Sequence, residues 1–278
     1  MRFAISTSPQ RCTWEWLLEV WQRADEIELY ESGWTFDHFY PLFGDSTEDC
    51  LEGWITLTAL LQETQRIRGG VLVTGMLYRH PAVLANMAST LDITSKGRLE
   101  LGIGAGWNEE ECEAYGIDLG TIEERFERFE EGLEVMNLLL TQERSNFSGS
   151  WYTLTNAMNN PKGPQKPLPI CIGGAGLRRT IPAVAKYAHH WNYGSQSMSL
   201  KDFQMRHKVF LQACDEIGRD PNEIMISTLL QYSGDVAETI EQAQEFEEAG
   251  VHMGIVSLPK TEDPAVIEDI AEGLSVLG

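Results

Sequence analysis

The sequence predicts a parallel (β/α)8 barrel of the TIM type, an α/β fold built as one domain over residues 1–278. Three observations point there. Short β-branched or apolar runs alternate with amphipathic helical stretches from end to end, which is the pattern of repeated βαβ units, and eight units can be counted. A length of 278 residues is one at which this barrel commonly forms a single core. Beyond the strand and helix alternation there is no internal repeat and no low-complexity tract to divide the chain.

Taken in order, the first unit sets a strand over 2–7, around Phe3-Ala4-Ile5, before a helix over 14–27. The second joins a strand over 29–36 to a helix over 51–64, and the third a strand over 69–74 to a helix over 82–94 that has Pro81 at its first turn. The fourth strand, 98–104, leads to a helix over 121–140. There Ile122, Phe126, Phe129, Leu133, Met136 and Leu140 recur at alternating intervals of four and three on one face. Strands over 168–173, 190–194, 225–232 and 252–258 then alternate with helices over 177–188, 200–217, 236–248 and 263–274. One non-periodic stretch, 141–167, carries Trp151-Tyr152 and the prolines Pro161, Pro164 and Pro167; it reads as an excursion between strands 4 and 5, with a short hairpin, lying over the barrel mouth.

Composition narrows the function. A formal net charge of -21 repels nucleic-acid phosphates and anionic membrane surfaces, which argues against both as partners. No apolar run reaches the roughly 20 residues that span a bilayer, and the first residues lack a signal peptide's apolar stretch, so the expected location is cytoplasmic. The five cysteines, Cys12, Cys50, Cys112, Cys171 and Cys214, are irregularly spaced and form no Cys-x-x-Cys pair, so neither a disulfide framework nor a zinc site is expected.

Barrel chemistry sits at the carboxyl ends of the strands. The second strand ends in Phe36-Asp37-His38-Phe39-Tyr40, an acid and an imidazole side by side at that rim. A histidine there moves a proton near a bound ring and a carboxylate fixes its tautomer; equally, both side chains satisfy backbone groups in a turn, and the residues leave the two readings open. The fourth strand runs into Gly102-Ile103-Gly104-Ala105-Gly106-Trp107-Asn108, where glycines admit a close approach to the backbone. Three carboxylates, Glu109, Glu110 and Glu111, follow at once and disfavour a phosphate, so a flat neutral ring fits better there.

The anion site is expected after the fifth strand, at Gly173-Gly174-Ala175-Gly176 followed by Arg178-Arg179. Free amides at a helix start bind phosphate, and the arginine pair is a rare positive spot in this acidic chain. The adjacent His189 and His190 point to opposite faces of a strand with no matching ligand nearby, so no metal is expected.

Taken together, Asp37-His38-Phe39, Arg66-Ile67-Arg68-Gly69 with Tyr78-Arg79-His80-Pro81-Ala82, the run from Gly97 to Trp107, Tyr115-Gly116 and Ile172-Gly173-Gly174-Ala175-Gly176 resemble the luciferase-like family of flavin and deazaflavin oxidoreductases. They are most similar to its branch using the 8-hydroxy-5-deazaflavin coenzyme F420. The resemblance implies coenzyme F420 or FMN as cofactor, a homodimer, and a non-prolyl cis peptide at Val71-Leu72 that backs the ring. It implies that Asp37 and His38 lie beside the ring as catalytic residues, that Val71, Leu72, Thr74, Gly104 and Asn108 adjoin it, and that Gly173, Gly174, Ala175, Gly176, Arg178 and Arg179 hold its phosphate. After the fourth strand, where the sugar-phosphate dehydrogenase branch carries a glutamate, this chain has Trp107. Phe39, Tyr40, Phe43, Trp107, Trp151 and Tyr193 are expected to line an apolar pocket for an uncharged, partly hydrophobic small molecule. Three functions follow: hydride transfer with the deazaflavin, oxygen-dependent monooxygenation with FMN, and flavin binding without turnover.

Overall fold

The computed structural model describes residues 1–42, 44–194, 199–258 and 263–277. The barrel staves are β1 (Arg2–Ser6), β2 (Tyr30–Thr35), the interrupted pair β3 (Arg68–Val71) and β4 (Thr74–Gly75), and β5 (Leu99–Gly104). A hairpin of β6 (Ser145–Ser148) and β7 (Thr153–Ala157) intervenes before β8 (Ile170–Gly173), β9 (His190–Asn192), β10 (Met225–Gln231) and β11 (Met253–Ser257). All barrel pairings are parallel, and β5 pairs with both β3 and β4, so nine segments close as eight staves. The helices are α1 (Trp14–Glu26), α2 (Gly53–Gln62), α3 (Pro81–Thr94), α4 (Glu109–Tyr115), α5 (Ile122–Thr141), α6 (Thr180–Tyr187), α7 (Leu200–Ile217), α8 (Val236–Glu248) and α9 (Val266–Leu274).

Alternation along the strands sorts side chains into two cores. In β1, Phe3 and Ile5 point outward and join the large cluster beneath the helices, whereas Ala4 points inward. With Trp34, Cys171, Met253 and Ile255 it fills the middle of the barrel, each 2% exposed or less. Above this plug the inward positions carry little volume, and a cavity opens at the carboxyl ends of the strands.

Helix ends follow the local chemistry. Thr121 and Glu124 form a reciprocal capping box at the start of α5, and Gly218 ends α7 in the left-handed conformation at φ +69°. Between the fourth stave and α5 the structure inserts α4, opened by Asn108, whose side chain accepts from the Glu111 amide.

Two expectations are corrected. The non-prolyl cis peptide lies at Leu72-Val73, one residue beyond Val71-Leu72. Pairing with β2 continues through Val71, opposite Thr35, and the Leu72 amide still donates to the Thr35 carbonyl at 2.8 Å, so the chain departs from its neighbour only afterwards. The 141–167 excursion does form a hairpin, but it runs along the outside of the barrel and lines no part of the mouth cavity. Glu131 on α5 accepts from the amides of Ser150, Trp151 and Tyr152, and Asn159 donates to Ser89 of α3, which fastens the excursion to the flank of the helices.

Candidate active site

The cavity at the barrel mouth has a volume of about 850 Å³. One wall is aromatic and aliphatic, with Phe36, Leu72, Val73, Trp107, Phe126 and Phe129, and no Lys or Arg is among the described residues lining it. Its floor is opened by glycines. A Cβ placed on Gly104 would lie 2.6 Å from the Val73 side chain, and one on Gly173 would lie 2.7 Å from it, so only glycine leaves room for Val73 there. At Gly102, one layer below, an added Cβ would sit 1.9 Å from the Val71 carbonyl oxygen.

His38 lines this cavity at the end of β2, and its Nδ1 donates to Glu111 Oε2 at 2.8 Å. Glu111 is fully buried and also accepts from the Phe39 amide at 2.5 Å and from the Tyr78 hydroxyl at 2.9 Å. Burial raises a carboxyl pKa; here the bonds from His38, Phe39 and Tyr78 outweigh it and hold Glu111 below the ordinary carboxylate value. Tyr78 in turn is held protonated, first by burial and then by the Glu111 charge. An ionised Glu111 accepting from Nδ1 fixes the neutral imidazole tautomer with its lone pair on Nε2. The ring is further held edge-on to Phe36 and Trp107, with centroids 5.1 and 5.7 Å away. Nε2 has no hydrogen-bond partner among the described residues, and it is the edge able to exchange a proton with a bound molecule.

Asp37 is differently employed. Its carboxylate takes a two-pronged contact from Arg79 at 2.5 and 3.1 Å, and Arg79 also reaches Glu52 at 2.6 Å. Burial pushes the Asp37 carboxyl up while Arg79 pulls it back. This bridge ties the loop after β2, the first turn of α2 and the loop before α3 together. Asp37 touches the cavity, but its charge is already compensated.

The remaining expected residues divide. Leu72, Gly104, Gly173 and Gly174 line the cavity. Val71 does not; it faces outward into the core beneath the helices. Thr74 does not either, because its hydroxyl accepts from Trp54 Nε1 at 2.8 Å on the α2 side. Asn108 is turned to cap α4 rather than toward the cavity. In the glycine turn, the Gly174 amide donates to the Asn192 carbonyl at 3.0 Å, and the Ala175 carbonyl accepts from Arg206. Gly176 and Arg178 are exposed, whereas Arg179 is paired with Glu130 at 2.6 and 2.8 Å and lies over the Phe126 ring. The expected cradle is therefore partly occupied by contacts internal to the protein.

Of the expected pocket aromatics that lie among the described residues, only Trp107 lines the cavity. Phe39 packs between Tyr78 and Tyr115, Tyr40 stacks on Tyr115, Trp151 lies under Arg128, and Tyr193 packs against Trp191 and Phe203. Phe43 lies outside the described residues. Among the described residues no group of three or more metal-ligating side chains occurs, and His190 bonds Ser227.

The sequence pattern described as luciferase-like monooxygenase matches residues 1–265. The chain belongs to the luciferase-like monooxygenase family. Among its relatives, an F420-dependent glucose-6-phosphate dehydrogenase of Amycolatopsis mediterranei is 33% identical over 174 residues, 62% of this chain and 50% of the relative. Another, of Kineococcus radiotolerans, is 31% identical over 230 residues, covering 80% and 65% of the two chains. The matched region thus spans half to about two thirds of those relatives. Among solved structures, an F420-dependent secondary alcohol dehydrogenase in complex with an F420-acetone adduct superposes with a TM-score of 0.86 at 18% identity, covering 98% of both chains. A monooxygenase from Streptomyces bottropensis gives 0.83 at 20% identity over 100% of this chain and 99% of its own. At such identities these two structures show a shared fold.

In this family member the residue that sequence reasoning passed over is Glu111. It was legible only as one of three acids at a helix start, yet Asn108 and Glu111 stand at the N-cap and N3 spacing, the signal that singles it out from Glu109 and Glu110. Arg79 and Glu52 gave no such local signal.

Proposed function

We propose that this family member is an oxidoreductase that moves a hydride between coenzyme F420 and an uncharged, partly apolar small molecule. The observation that carries the proposal is the pairing of a glycine-floored slot beside Val73 with a histidine held in one tautomer at its wall. A flat ring fits such a slot, and Leu72, Val73, Gly104 and Gly173 would hold it. The deazaflavin, when bound, supplies a ring carbon that accepts or gives a hydride. The protein's own part is the proton: on oxidation of an alcohol, His38 Nε2 takes the hydroxyl proton, and on reduction of a ketone it returns one. Glu111 orients the imidazole through its bond to Nδ1. Trp107 and Phe36 pack edge-on against the imidazole and hold its plane. The lack of Lys or Arg among the described lining residues favours a substrate without phosphate or carboxylate.

Native mass spectrometry with visible spectra after incubation in coenzyme F420 or FMN tests the reading. Retention of the deazaflavin and its reduction by an alcohol is the expected result. Retention of FMN alone, with oxygen consumption, would establish the monooxygenase alternative, and binding without turnover would leave a flavin-binding protein.

We further propose a homodimer formed through the outer faces of α2 and α3. α2 has no charged residue, and the only one in α3, Asp92, is fully buried. Gln62 Nε2 donates to the Thr94 carbonyl at 3.4 Å and links the ends of the two helices. Ile55 at 72% and Val83 at 54% exposure stand on this uncharged face. For a chain of net charge -21, two copies meet at least cost where neither presents a carboxylate.

A further inference from the structure

The floor of the cavity has a second half that the cofactor reading does not use. By strand alternation, Ser6 follows Ala4 and Ser257 follows Ile255 on the inward face, one layer above the apolar plug. The two serines are opposite one another in the β1–β11 register. Ser8 lines the cavity just beyond Ser6. Neither Ser6 Oγ nor Ser257 Oγ has a hydrogen-bond partner among the described residues, and Ser8 Oγ, which accepts from Gln10 Nε2 at 3.3 Å, keeps its own proton to give.

Sheet order sets this group apart from the glycine slot. β11 and β1 are separated from β8 by β9 and β10 on one side, and from β5 by β2 and the β3–β4 stave on the other. The floor is therefore bare toward β5 and β8 and hydroxyl-bearing toward β11 and β1. The serines are partly exposed to the cavity, so their hydroxyls, unpaired among the described residues, are left to bond water or a molecule that displaces it. They carry no charge and both donate and accept, so they suit a hydroxyl, ketone or amide equally and an ion poorly.

We infer that Ser6, Ser8 and Ser257 form a neutral polar subsite for a second, non-reacting hydroxyl or carbonyl of the substrate. The substrate is then bifunctional: one oxygen at His38, a second on the serines, and an apolar body between them against Phe36, Leu42 and Trp107. This rests on the reading that the cofactor takes the glycine half.

The test reads binding rather than turnover, so that it is separable from the assignment of the reaction. Ligand-observed NMR titrations compare trans-1,4-cyclohexanediol with cyclohexanol on the wild-type protein and on the double variant Ser6→Ala, Ser257→Ala. A parallel fluorescence titration measures coenzyme F420 affinity. The diol is expected to bind the wild type about fivefold tighter than cyclohexanol, the worth of one net hydrogen bond. The preference should vanish in the double variant while cofactor affinity is unchanged. Equal binding of the two probes by the wild type, or an undiminished preference in the variant, would overturn the subsite. A loss of cofactor affinity in the variant would overturn it too, by placing the cofactor on the serines. Failure of the protein to bind coenzyme F420 at all refutes the proposed reaction, whereas the diol comparison still decides whether the hydroxyls recognise a neutral polar group.

Discussion

His38 Nδ1 lies 2.8 Å from the carboxylate of Glu111, a residue 73 positions away that is fully buried on the short helix α4. That bond leaves Nε2 to face the cavity as an acceptor. A glutamine at 111 can offer an N–H to Nδ1 and so stabilise the opposite tautomer. Glu111→Gln is expected to lower turnover by about 100-fold or more, within the range of a lost general base. Steady-state rates decide it, with His38→Ala as the inactive reference; wild-type turnover in Glu111→Gln would make Glu111 simply the anchor of α4.

The phosphate assignment is tested at Arg178 rather than at the glycines of the turn. Gly174 has φ +113°, so any side chain there strains the backbone and confuses a binding result. Arg178 is exposed at the same turn, whereas Arg179 is engaged with Glu130. Arg178→Glu should weaken coenzyme F420 or FMN binding by about tenfold at low salt, and by less as salt screens the new charge. Calorimetric titration at two ionic strengths checks both parts. Unchanged affinity would place the phosphate elsewhere than this turn.

His190 gives a prediction about stability. Burial, with the nearby Arg2 and His252 charges adding to it, holds its pKa at about 3 instead of 6.5. A base with a depressed folded pKa binds fewer protons folded than unfolded between those values, so stability is lost as pH falls through that window. The slope from this one group approaches about 1.4 kcal/mol per pH unit. Denaturant unfolding should show a lower midpoint near pH 5 than near pH 7, and His190→Gln should flatten that difference. A wild-type midpoint independent of pH over this range would mean that the imidazole is solvated.

The uncharged α2–α3 face predicts an assembly. Sedimentation velocity of the wild type should give a dimer, and the double variant Ile55→Asp, Val83→Asp should give a monomer with an unchanged circular dichroism spectrum. A monomeric wild type at micromolar concentration, or a dimeric variant, would remove the interface from this face.

The sequence by itself determined the barrel, because strand and helix periods are local properties of a chain. Alternating runs placed every stave, and the four-three spacing from Ile122 to Leu140 placed α5, within a few residues of the observed Ile122–Thr141. It also located the cavity, since the carboxyl ends of β2, β5 and β8 follow once the strands are known, and His38, Gly104 and Gly173 do line it together. What only the tertiary structure decided is which polar groups are already spent. Glu111 finds His38 across 73 residues, Arg79 finds Asp37 across 42, and Glu130 finds Arg179 across 49. None of these partners is signalled by periodicity, because closing the barrel brings together loops from different staves, and a charge pairs with whatever the closed ring sets beside it. The same closure turned Thr74 to Trp54 and carried the 141–167 excursion down the flank of α5, where the Glu131 carboxylate accepts from three of its amides.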